Sequence, residues 1–128
     1  MRVDPAGAMA RMMRAIKDDV SAGISVGMPC KVIKFDVVTC TADVQPLIRT
    51  SENETAILQN IPALGQRLQI DGSEKACKPS LRAGDIVFVV CADRELRNAM
   101  TGSISSADSS RMHDPNDAVI VGVFGCSL

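Results

Sequence analysis

The spacing of apolar residues divides the chain into one amphipathic helix followed by a series of short strands. Met9, Met12, Met13, Ile16 and Val20 recur at intervals of three and four, which places them on one stripe of an α-helix. Asp4 is positioned to cap that helix, Pro5 suits its first turn and Gly23 is its expected stop. Arg11, Arg14, Lys17 and Asp18 fall largely on the other faces. From Met28 the period changes to two. Ile33, Phe35 and Val37 are expected on one face of a first strand, with Lys31, Lys34 and Asp36 between or beside them. A second strand is expected over residues 39–48, where Asp43 and Val44 take opposite faces and Pro46 marks an edge or a bulge; the two strands form a hairpin.

Residues 49–55 are polar and read as a loop. A third strand is predicted over residues 56–70, bent or split by Pro62 and Gly65, and residues 71–83 read as a charged loop. After the turn Gly84-Asp85 come six consecutive apolar residues, Ile86 to Cys91, the pattern of a strand buried on both faces. One face belongs to the core. The other, either Val87, Val89 and Cys91 or Ile86, Phe88 and Val90, needs a cover from the N-terminal helix or from another subunit. One or two helical turns are expected over residues 94–100, with Asp93 as cap and Gly102 as stop, and residues 103–110 are poor in apolar side chains. A closing strand over residues 118–124 is again nearly continuous in apolar residues, with Gly122 at a bulge or close approach.

The predicted fold is mainly β: a five-stranded OB-type Greek-key barrel with an N-terminal α-helix and a short helix before the last strand. An SH3-like barrel fits the strand count almost as well. Residues 1–23 form a helical docking segment and residues 24–128 the barrel domain.

Composition narrows the function classes. The 128 residues suit one domain, and 46% hydrophobic with 23% charged residues is the balance of a folded globular chain. A net charge of -1 supplies no field for a polyanion, and three Phe with no Tyr or Trp leave no stacking platform, so no nucleic-acid partner is expected. Charges interrupt residues 1–20, so no secretion signal is expected, and no apolar run reaches the roughly 18 residues of a membrane helix. The five cysteines contain no C-x-x-C pair and are expected as reduced thiols, four of them beside apolar runs. His113, the single histidine, stands with Asp114 and Asp117 in a polar loop and reads as a turn residue; Arg111 is expected to pair with an acidic neighbour. The chain shows no nucleophile with a base, carboxylate pair or phosphate-cradling loop, so catalytic, cofactor-binding and metal residues are all expected to be none and the protein is not expected to be an enzyme.

Five ordered segments carry a resemblance: Gly27-Met28-Pro29-Cys30-Lys31-Val32, Thr41-Ala42-Asp43-Val44-Gln45-Pro46, Asn60-Ile61-Pro62, Gly84-Asp85-Ile86-Val87 with Ala92-Asp93-Arg94, and Arg111-Met112-His113-Asp114 with Asp117-Ala118. Over residues 24–124 they resemble the OB-fold N-terminal domain of contractile-tail phage baseplate spike proteins, the membrane-puncturing or central tail-tip components.

That resemblance implies a homotrimer around the tail axis, a virion protein of the tail baseplate assembled in the host cytoplasm, and contact with the host envelope. Val87, Val89, Val119 and Val121 are then the expected subunit interface. Met9, Met12, Met13 and Ile16 are the expected docking stripe for baseplate hub or tail tube proteins. Longer members of the family carry a β-helical shaft and a metal-bearing apex with paired histidines. The last residues, Gly125-Cys126-Ser127-Leu128, encode neither, so a short spike or an adaptor for a separate needle-tip protein is expected. The alternative from another class is an OB-type binding module for an oligonucleotide or oligosaccharide, disfavoured by charge and the missing aromatics.

Overall fold

The computed structural model describes residues 4–22, 25–49, 56–107, 110 and 112–128; Gly23, Arg111 and most of the polar segment 49–55 lie outside the described residues. Helix α1 spans Pro5–Ala22, as the stripe predicts. Its first turn closes when the Ala8 N–H donates to the Asp4 carbonyl at 3.0 Å. Residues 8–21 are all exposed, so α1 covers no part of the sheet with a buried side chain.

Strands β1 (Gly27–Asp36), β2 (Thr41–Pro46), β3 (Leu58–Pro62), β6 (Ile86–Cys91) and β7 (Ala118–Val123) form one antiparallel sheet in the order β3-β2-β1-β6-β7. Its two edges approach each other. Ala63 forms a parallel bridge with Ile120, and the Leu64 N–H donates to the Ile120 carbonyl at 3.0 Å, so the sheet curls into a half-barrel. The hollow is filled by Cys30, Val32, Ala42, Val44, Leu58, Ile61, Val87, Val89, Cys91, Ala118 and Ile120.

Two irregularities set which side chains reach this core. In β1, Cys30 and Val32 point inward, and strict alternation would send Lys34 in next. The β1–β2 register shifts between Val32 and Lys34, leaving Ile33 as an extra residue. Lys34 therefore stays in water and Phe35 packs against the core. The expected face of Ile33, Phe35 and Val37 is corrected accordingly: Ile33 and Val37 are 43% and 72% exposed. In β3, Leu58 and Ile61 are both buried although three residues apart. Asn60 makes that possible with a left-handed φ of 55°, and its N–H donates to Asp43 Oδ1 at 3.0 Å.

The predicted third strand splits. Its second half becomes β4 (Gln66–Ile70), which pairs with β5 (Ser73–Cys77) in a separate two-stranded sheet. The expected loop over residues 71–83 thus contains a strand, turned by Asp71 and Gly72 at φ 51° and 78°, the conformation two-residue hairpins favour. All ten paired residues are exposed.

The one or two helical turns expected over residues 94–100 are met in part, by a single 3-10 turn ending at Gly102, which takes the stop position with φ 90°. Arg94 pairs with Met112 in an isolated bridge, which commits the start of that segment to extended structure. Only 3-10 turns form, at Ala99–Thr101 and, directly before β7, at Pro115–Asp117; the Asp114 carboxylate caps the latter by accepting from the Asn116 N–H at 2.8 Å.

Candidate assembly surface

Strand β6 resolves the open choice of face: Val87, Val89 and Cys91 turn into the core, while Phe88 and Val90 face outward. On that outer face Val90 lies between Gly27 of β1 and Val119 of β7, and Phe88 lies between Pro29 and Gly122. The absence of a side chain at Gly27 decides where the Phe88 ring goes. A Cβ at position 27 would come within 2.7 Å of Phe88 Cζ, so the ring occupies the space above this glycine. Phe124 meets it edge-to-face, with centroids 6.3 Å apart and planes at 86°. The β6–β7 register shifts between Phe88 and Val89, which leaves Val121 as the extra residue at a bulge.

The result is an outward apolar patch: Phe88 38%, Val90 36%, Phe124 41% and Val121 46% exposed. Of the four interface residues expected from the sequence, Val87 and Val89 are 0% exposed and have no surface to offer a neighbour. Val119 is half-buried and Val121 is exposed on the outer side. The sequence reading left Phe88 and Val90 as one of two possible outward sets, because six apolar residues in a row carry no period from which to choose a face, and it did not single out Phe124. Met9, Met12, Met13 and Ile16 lie on α1, each more than half exposed.

The segments that carried the resemblance meet in the fold. Gly84, at φ 94°, donates its N–H to the Val32 carbonyl at 2.8 Å, and the Asp85 carbonyl accepts from the Val32 N–H at 2.8 Å. The Asp85 carboxylate closes the turn by accepting from the Arg82 N–H at 2.9 Å. Asp43 pairs with Asn60 as described. His113, at φ 47°, takes an N–H bond to the Asp93 carbonyl at 3.2 Å, and its Nε2 lies 3.4 Å from Asp93 Oδ1. Its own carbonyl accepts from the Ser25 N–H at 3.1 Å, tying the chain just after α1 to the loop before β7. Arg111, which was expected to find an acidic partner, lies outside the described residues.

The five cysteines are free thiols. Burial pushes the Cys30 thiol up to about 11, with nearby Cys91 adding to the effect. Cys91 is raised by burial too, and then by the charges of Asp114 and Asp117. Among the described residues no group of three or more His, Cys, Asp or Glu side chains is placed to hold a metal ion, and no helix is long and apolar enough to cross a membrane.

The sequence matches the family described as the phage protein Gp138 N-terminal domain over residues 28–122, from β1 into β7, and the chain belongs to that family. It is a phage structural protein, a component of the virion. No curated protein matches it.

Proposed function

We propose that this chain is a homotrimeric baseplate spike or central hub-tip protein of a contractile phage tail, helping to breach the host envelope or carrying a separate needle-tip protein, without catalysis or a cofactor. The carrying observation is the apolar outer face of β6 and β7. Phe88, Val90, Val121 and Phe124 are 36–46% exposed among the described residues, and three copies closing around an axis would bury the remainder. The strand order with a parallel junction of β3 to β7 supports a closed OB-type Greek-key barrel, into which β4 and β5 are inserted between the third and fourth barrel strands. Such a module works mechanically, as a rigid end piece that transmits the thrust of sheath contraction.

Light scattering on the purified chain tests the oligomer: three times the monomer mass is expected, and a stable monomer at micromolar concentration overturns the reading. An image of the intact tail tests the place, which should be on the axis below the hub.

A further inference from the structure

We draw no further inference here: the strongest candidate, the face of the β4–β5 hairpin that carries Leu68 and Ile70, is exposed to solvent in its own chain, and nothing in the structure shows what covers it.

Discussion

The ring of Phe88 stands directly over Gly27, so close that a methyl group there would fall within 2.7 Å of Cζ. Gly27→Ala must therefore move the ring, and the ring, being on the open side of the sheet, has room to go. The expected cost in folding stability is modest, about 1 kcal/mol. The expected cost in assembly is larger, because the displaced ring loses its edge contact with Phe124 and changes the shape of the patch. Urea unfolding and light scattering on the same variant separate the two.

A pair of aspartate substitutions distinguishes the core from the outer surface. Val89 is fully buried and Val121 is 46% exposed. Val89→Asp places an unpaired carboxylate in the core, at a cost of several kcal/mol against a total stability of about 5–15 kcal/mol, and should abolish folding. Val121→Asp should fold, with a native circular dichroism spectrum, and fail to trimerise. A trimer from Val121→Asp would exclude that bulge from the interface.

Asp43 and Asn60 make a further pair. Asp43→Ala removes the acceptor of the Asn60 N–H and should lower stability by about 1 kcal/mol. Asn60 sits at φ 55°, where glycine is at ease, so Asn60→Gly should be tolerated while Asn60→Val should cost more than Asp43→Ala. Thermal unfolding of the three variants orders them.

The buried thiols set an alkaline limit. The Cys30 pKa is raised from 9.0 to about 11 in the folded chain, so above pH 9 the unfolded state releases a proton that the folded state retains. Stability from this group is complete below pH 9 and declines as pH rises toward 11. Cys30→Ala should flatten that decline. At neutral pH a thiol reagent should label exposed Cys77 and Cys126 rapidly and leave Cys30 and Cys91 unlabelled until the chain unfolds.

Much of the backbone plan was legible in the sequence. The 3-4 spacing of the methionines specified α1, the Gly84-Asp85 turn announced β6, and Pro62 with Gly65 marked the break after β3. What stayed hidden follows from where apolar residues carry no information. Strand β5, Ser-Glu-Lys-Ala-Cys, is exposed on both faces and has no alternation to detect; its only signal was the Asp71-Gly72 turn. The bulge at Ile33 shifts the phase within β1, which a fixed period of two does not reveal. The helical turns expected over residues 94–100 shrank to one 3-10 turn at Ala99–Thr101, because the Arg94–Met112 bridge, a pairing across a long loop, holds the start of the segment extended. For β6, two apolar faces were readable from the six-residue run, but the outward choice of Phe88 and Val90 over Val87 and Val89 required the folded sheet.

The β4–β5 hairpin stands outside the half-barrel with all ten of its paired residues in solvent. Its tip at Asp71 and Gly72 is consequently a grafting point: a peptide epitope or fluorescent domain spliced there disturbs no core packing. Decorated in that way, the chain becomes a visible marker whose position and copy number can be counted on individual particles.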